Sequence, residues 1–431
     1  MSGASSTVDP RRWYVLAVLT LVYAFNIADR YVISTLIEPI KADLHLSDTA
    51  IGFLTGTALA IVYTGMGLPL ARLADRSNRR NLLAASIVLW SVMTGACSAT
   101  FSFLTLMIAR IGVGLGEAGA TPSSQSMLAD LFGFNERLFA MSIFAIGAAL
   151  GSTLGTTVGG TISDAFGWRT AFMALAVPSL LLAPAVFLTV SEPRRSQAQR
   201  GMTPAHHPSA RALLAFARSQ RSLMHTLIGA TVCTFWSWGL LWWTPAFLAR
   251  SHGMSTSDAG LLLGVINGIG GTLGVLVGGS AIQTVGRRDP RRQCWLLAVI
   301  VGIATIASII AYATSNRIAM IAMFCVFIPV AYIYLSPAFG WIQSLVPPNM
   351  RATFCAIFLF GANIANLAIA PQLVGFGSDI LAQDFGAGVE SLRYMLIGVA
   401  ATGVWAMYHF WAAARDFVGD LERAGTQVAQ T

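Results

Sequence analysis

Charge is scarce in this chain. Asp, Glu, Lys and Arg make up 11% of its 431 residues, where an average globular domain carries about 25%. That excludes a soluble domain wetted on all sides. Lysine is nearly missing: Lys41 is the only one, and the other 26 of the 27 basic residues are arginines. They fall in short clusters between apolar runs, not on one basic domain interleaved with aromatics. The net charge of +8 therefore does not mark a nucleic-acid binder. Cysteine is sparse: Cys97, Cys233, Cys294, Cys325 and Cys355 stand singly inside apolar runs. They give neither a disulfide framework nor a zinc spacing, and read as small apolar packing residues. The six histidines show no ligand spacing, and His206-His207 falls in a polar stretch, so no metal or cofactor is expected. There is no HExxH, no GxSxG, and no pair of acids with a nearby His inside the apolar runs, so a membrane-embedded lipid enzyme is a distant alternative.

What the chain has in abundance is apolar sequence, 55% of all residues. Twelve segments stand out, over about 13–37, 49–71, 82–101, 103–128, 139–162, 169–190, 223–249, 256–282, 293–313, 317–345, 352–377 and 392–414. Each is about 20 residues or longer, roughly twice a barrel strand, so the expected class is an all-α multi-pass membrane protein. The first run follows Arg11 and Arg12 and continues past Asp29 and Arg30 towards Ile37. It is too long for a signal h-region and has no small-residue cleavage site behind it. One long polar interruption, 191–222, holds six arginines. It divides the chain into an expected bundle of six helices over 1–190, a linker, and a second bundle of six over 223–431 with a short tail.

Arginine placement gives an expected orientation. Twenty basic residues fall in segments that share a side with the N-terminus, against five, Lys41, Arg169, Arg250, Arg317 and Arg393, in the other loops. Both termini are thus expected in the cytoplasm, in the inner membrane of a cell. The two halves also repeat each other. LSDTAIGFLTG from Leu46 lines up with MSTSDAGLLLG from Met254 at an offset of 208, which also carries Ala71–Arg80 onto Gly279–Arg288. NERLFAMSIFAIG from Asn135 matches NMRATFCAIFLFG from Asn349 at an offset of 214. Parallel repeats place a binding site near the bilayer midplane, between the halves. No ring of polar residues repeats between them, which argues against a channel.

The few charges inside the apolar segments are expensive and mark function by default. The first segment carries Asn26, Asp29, Arg30 and Tyr31; the fourth carries Arg110 and, two turns on, Glu117 on the same face. Asp29 and Arg30 point about 100° apart, so one is expected to line a cavity and the other to serve helix packing. A carboxyl in low dielectric that meets an arginine in only one state is the minimal proton-coupling device; a static ion pair is the alternative. Gly147, Gly151, Gly155 and Gly159 form a four-residue ladder, expected to pack closely on a neighbour across the interface between the halves. The second half carries no charge in the interiors of the seventh, eighth, tenth and eleventh segments. It offers Trp236, Trp238, Trp242, Asn267, Tyr332, Asn363 and Asn366, a weakly polar wall. Facing a charged one, it suits an amphipathic molecule whose anionic or zwitterionic head meets Arg110. Trp236 and Asn363 are the candidate contacts on this wall.

The loop Ala71–Arg80, ARLADRSNRR, with its partial copy GSAIQTVGRR, resembles the signature loop of the major facilitator superfamily, although Ala71, Asn78 and Gln283 depart from its pattern. The resemblance implies a fold of twelve transmembrane helices in two pseudo-symmetric bundles of six. It also implies a latching loop: Asp75 as the latch, Arg76, Arg79 and Arg80 around it, and Arg137 as a basic partner. Asn26-x-x-Asp29-Arg30-Tyr31, Arg110-x-x-x-Gly114-x-Gly116-Glu117-Ala118, Thr121-Pro122-Ser123, Leu128-Ala129-Asp130-Leu131-Phe132, Gly167-Trp168-Arg169 and Ser191-Glu192-Pro193 together resemble the Spinster family. That implies a proton-coupled transporter, not an enzyme, moving a lysophospholipid-like or sphingosine-1-phosphate-like substrate by alternating access. Proton coupling would fall to Asp29 and Arg30, and substrate binding to Arg110, Glu117 and Asn26. The expected partners are a lipid-like substrate, protons and the bilayer, with the protein as a monomer. A polyspecific drug exporter and an organic-anion symporter are the alternatives.

Overall fold

In hydrocarbon every backbone N–H and C=O must be satisfied within its own segment, and the apolar runs accordingly form helices. The structure, a computed structural model, describes residues 11–429 apart from 63–64, 67–68, 70–72, 74–76, 193–209 and 287–288. The long helices are α1 (Arg12–Thr35), α2 (Asp48–Val62), α3 (Arg79–Ser98), α4 (Phe103–Leu131), α5 (Phe134–Phe166) and α6 (Trp168–Thr189), then α7 (Arg221–His252), α8 (Thr256–Gly286), α9 (Pro290–Ala313), α10 (Arg317–Leu345), α11 (Thr353–Gln383) and α12 (Gly388–Ala424). Ten of these are long and apolar enough to cross a membrane; α2 is shorter, and α7 is not among the ten. No strand occurs among the described residues.

The ends are written in the sequence. Ser102 caps α4 in a box with Thr105, Asn316 accepts from the amides of Ile318 and Ala319 to start α10, and Asp289 followed by Pro290 starts α9. Gly253 closes α7 at φ 59°, a left-handed position that a side chain would strain. Within the expected linker, residues 210–219 form a short helix, Ala210–Ser219, that turns Leu213, Phe216 and Ala217 inward and leaves Arg211 and Arg218 exposed.

The two halves meet at one end of the bundle, the end where α1 finishes and α2 begins. There α2 lies against α11, and α5 against α8, at backbone contact. A Cβ added at Gly56 would stand 2.2 Å from the Leu367 carbonyl oxygen, and one at Gly260 2.2 Å from that of Thr156. Stretches of π-helix fall in these same helices, at Phe53–Thr57, Ile266–Gly271 and Ile364–Ile369, a helical irregularity frequent at functional sites.

The glycine ladder corrects one expectation. Gly147, Gly151, Gly155 and Gly159 pack on α1 of their own half, not across the interface: added Cβ atoms would meet Thr20 O at 2.8 Å, Ala24 O at 2.3 Å, Ala28 O at 2.4 Å and the Val32 side chain at 2.8 Å. The ladder lets α5 seat directly on the helix that carries Asp29. Gly160, one position on, is the glycine that faces the other half, 2.4 Å from Thr256 O by the same construction.

Candidate functional site

The sequence pairs small residues with its buried charges for a packing reason. Gly116 and Gly119 let α4 close on α3: a Cβ at Gly116 would meet the Trp90 amide nitrogen at 2.6 Å, and one at Gly119 the Ser86 hydroxyl at 2.6 Å. With α3 and α5 both tight against their neighbours, α1 and α4 bring four ionisable side chains together. Asp29 is 1% exposed, and Arg110 and Glu117 are both fully buried. Arg30 keeps 21% of its side chain open.

Their partners are specific. Asp29 Oδ2 accepts from Thr94 Oγ1 of α3 at 2.7 Å. Arg110 Nη1 points at the backbone oxygen of Asp29, 3.5 Å away. Arg30 Nε donates to Glu117 Oε2 at 2.7 Å, with Nη2 3.5 Å from Asn26 Oδ1. Among the described residues, Asp29 Oδ1 and the Nε and Nη2 of Arg110 have no hydrogen-bond partner. Burying such groups is costly, so the four residues are a polar device held in place by packing. The sequence left open which arginine the buried acids meet; the direct ion pair is Arg30 with Glu117, and Arg30 reaches open space.

Across from this wall the second half presents rings and amides. Tyr31 of α1 stacks on Trp242 at 5.9 Å, meets Trp238 edge-on at 6.2 Å, and shares a hydroxyl contact of 3.1 Å with Tyr332. Tyr332 donates to Asn267 Oδ1 at 3.0 Å, and Trp242 Nε1 to Asn366 Oδ1 at 2.9 Å. Trp236 stands elsewhere: it is enclosed inside the second half, edge-on to Phe327 at 5.1 Å. Asn363 is exposed on α11 just before its π-helical stretch.

Beyond this layer lies a closure that sequence reasoning missed. Arg250 at the end of α7 grips both oxygens of Asp48, at 2.6 and 2.7 Å, and Glu38 at 2.7 Å. Lys41 adds a 2.5 Å pair to Asp48. Asp379 of α11 accepts from the amides of Asp48 and Thr49 and from the Thr49 hydroxyl, capping α2 from the other half. Asp164 of α5 takes the Ser257 amide at the start of α8. The available signal was Arg250 itself, one of the few cations on the sparsely charged side.

Of the latch residues named from the signature loop, Asp75 and Arg76 lie outside the described residues. Arg79 is buried and joins Asp130 at 2.6 Å, Glu192 at 2.8 Å and Ser126 at 2.9 Å. It ties the start of α3 to the ends of α4 and α6. The amide of Arg80 adds a bond to Glu192, and its guanidinium lies over Phe187. Arg137 Nη2 donates to the Ala129 carbonyl at 2.6 Å, near the C-terminal, negative end of α4. No group of three or more His, Cys, Asp or Glu able to hold a metal occurs among the described residues.

Residues 19–370 match the family model of the Major Facilitator Superfamily. An MFS-type efflux pump of Mycolicibacterium smegmatis is 34% identical over 98% of this chain and 99% of its own length. The sphingosine-1-phosphate transporter SPNS2 of Danio rerio is 26% identical over 96% of this chain and 86% of its own. Among solved structures, a bacterial homologue of the human lysosomal transporter Spinster, in an inward-facing and unoccupied conformation, superposes with a TM-score of 0.85 at 27% identity, covering 96% of this chain and 98% of that one.

Proposed function

The chain belongs to the major facilitator superfamily, as a transporter related to Spinster proteins and to efflux pumps. From that premise we propose that it is a proton-coupled secondary transporter of an amphipathic, lipid-like substrate. All twelve long helices cross the inner membrane, as bundles over 1–190 and 223–431 joined by the linker, with both termini in the cytoplasm. One monomer carries the whole transport cycle. The reading rests on one observation: two acids and an arginine lie buried in the first half beside the partly open Arg30, opposite an uncharged aromatic wall in the second.

In the proposed cycle Asp29 exchanges the proton at Oδ1, the oxygen that Thr94 leaves free. When ionised it draws Arg110; when protonated it releases Arg110 to an anionic head. Arg30 and Glu117 form the switchable pair next to it, and Arg30 is the first cation a substrate meets. The hydrocarbon part lies along Trp238, Trp242 and Tyr332. The closure around Arg250 seals the outer face, so this conformation is inward-facing, in keeping with the 0.85 TM-score to an inward-facing homologue.

The test is transport by proteoliposomes under an imposed pH gradient. Asp29→Asn should move substrate without regard to the gradient, or not at all. A variant that keeps the wild-type response to pH overturns the coupling role. The 34% identity to an efflux pump favours a second reading, export of varied amphipathic compounds. Competition assays with lysophospholipids and with cationic dyes separate the two: dyes alone competing supports export, lysophospholipids alone the lipid cargo.

A further inference from the structure

Away from the central site, a groove of 610 Å³ opens between the short helix Ala210–Ser219, α7, α11 and Trp405 of α12. Its lining is apolar, with Leu213, Leu227, Val232, Phe354 and Phe358 prominent. Thr231 supplies the one polar side chain besides the Trp405 indole, whose N–H is given to His409 at 2.9 Å. Along α7 the groove runs from Met224 to Val232, and along α11 from Phe354 to Gly361, about 12 Å at helical rise. Phe216 pins the short helix to Phe354, with ring centres 5.7 Å apart. That helix is amphipathic: Phe216 and Ala217 are 8% and 6% exposed, while Arg211 and Arg218, seven residues apart on its other face, are open.

Three arginines flank the groove in sequence, two on the short helix whose Leu213, Leu214 and Ala217 line it and one at the start of α7, three residues before Met224. Arg211, Arg218 and Arg221 are all exposed, and no ion pair to any of them is found among the described residues. Of the acids on the adjoining stretch of α12, Asp420 is occupied by the Ser222 amide and by Arg423, Asp416 is half-buried near His225, and Glu422 is exposed, balanced by Arg415 and Arg423 of the same stretch. An amphipathic helix with arginines beside the first turn of a membrane helix is the arrangement that holds anionic lipid head groups. An apolar furrow leading from them into the hydrocarbon layer takes an acyl chain.

We propose that this groove is a binding site for one anionic phospholipid of the bilayer, separate from the transport site, with its phosphate among Arg211, Arg218 and Arg221 and an acyl chain along α7 and α11. The occupant is a bilayer lipid rather than a soluble phosphate, because the groove is apolar along its length but for Thr231 and the engaged Trp405 indole.

The test uses the full chain, purified and delipidated, then incubated with phosphatidylglycerol or phosphatidylcholine of matched chains. Bound lipid is counted by native mass spectrometry, and thermal unfolding is followed in parallel. Phosphatidylglycerol should be retained in preference and should raise the unfolding temperature, whereas phosphatidylcholine and glycerol-1-phosphate should not. The triple variant Arg211→Gln, Arg218→Gln, Arg221→Gln changes only exposed side chains and should still fold. Its preference should fall about fivefold per arginine lost. Arg110→Gln, at the central site, should keep the phosphatidylglycerol response, which distinguishes this site from a lipid cargo. Equal retention of the two lipids, a shift produced by glycerol-1-phosphate alone, or an unchanged triple variant each overturns the proposal. So does loss of the response in Arg110→Gln with its retention in the triple variant.

Discussion

Arg30 reaches Glu117 while its neighbour Asp29 turns to Thr94, because consecutive helix positions face about 100° apart. The sequence shows that charges exist in α1 and α4 but not which of them touch. Pairing depends on the rotation of α1 against α4, and that rotation is set by the glycines beneath both. The Arg30–Glu117 bond leaves one partner dry and the other at the edge of open space, and this asymmetry sets what each substitution does. Arg30→Ala removes the guanidinium bonded to the buried Glu117 and should lower stability by about 1–3 kcal/mol, below the loss for a wholly buried pair because Arg30 is partly exposed. Glu117→Gln keeps the shape and a hydrogen-bond acceptor and should cost less. The double variant Arg30→Ala, Glu117→Ala should recover part of the loss in a thermodynamic cycle of thermal unfolding in detergent. Strict additivity of the two alanine variants would mean that the pair carries no coupling. The repair of one loss by a second is the property a carrier needs if the bond is to break and re-form during transport.

Helix α5 meets α8 on one side and the groove of α1 on another, and its glycine ladder makes the contact with α1 unforgiving. Gly151→Val would push a branched side chain into the Ala24 carbonyl, 2.3 Å from where its Cβ would stand. Overpacking of this kind costs about 1–3 kcal/mol, so the unfolding temperature should drop clearly. Gly398→Ala in α12, where an added Cβ meets nothing within 4 Å, should be neutral or slightly stabilising, since glycine is a poor helix former. Equal effects at the two positions would show that helical propensity, not the α1–α5 contact, governs both. At this scale the sequence is legible in one respect and silent in another. The apolar runs give the long helices to within a few residues at most ends, α10 at Arg317–Leu345 among them, because backbone satisfaction in lipid leaves a run of that length no other form. A ladder of small residues shows only that something comes close. It does not say whether the neighbour is α1 in the same half or α8 in the other, since both are apolar and both lie within reach. The helix Ala210–Ser219 was hidden for the opposite reason: its arginines blend into a polar linker, and its apolar face shows only once α7 and α11 supply a surface for it.

For the whole molecule, the two halves are tied at the end where Arg250, Glu38, Lys41, Asp48 and Asp379 meet, the outer gate of the proposed cycle. Arg250 and Lys41 stand out in the sequence only as cations on a sparsely charged side; their acids are ordinary loop or helix-end charges, and the partners that join the halves lie some 200 to 330 positions apart. What makes them a gate is that each bond joins one half to the other or, as with Lys41, braces the acid that does. Arg250 carries most of the connection, with two bonds to Asp48 and one to Glu38, and is only 11% exposed. Charge-assisted bonds so shielded contribute about 1.5–3 kcal/mol each. Breaking them removes stability from the closed outer face while leaving the open one untouched, so the balance between the two states must move. Arg250→Ala should raise the outward-open population about 10- to 100-fold. Spin labels at Ser102 and Ser315, on exposed loops of the two halves, report it on a background without native cysteines. Pulsed dipolar spectroscopy on the variant should gain a longer-distance component absent from the parent. Asp379→Asn keeps its shape but loses its charge against the start of α2, and should shift the same distribution by a smaller amount. If Arg250→Ala leaves the distances unchanged, the closure is a passive contact, and the energetic hold on the outer face must come from the backbone packing of α2 on α11 and of α5 on α8 instead.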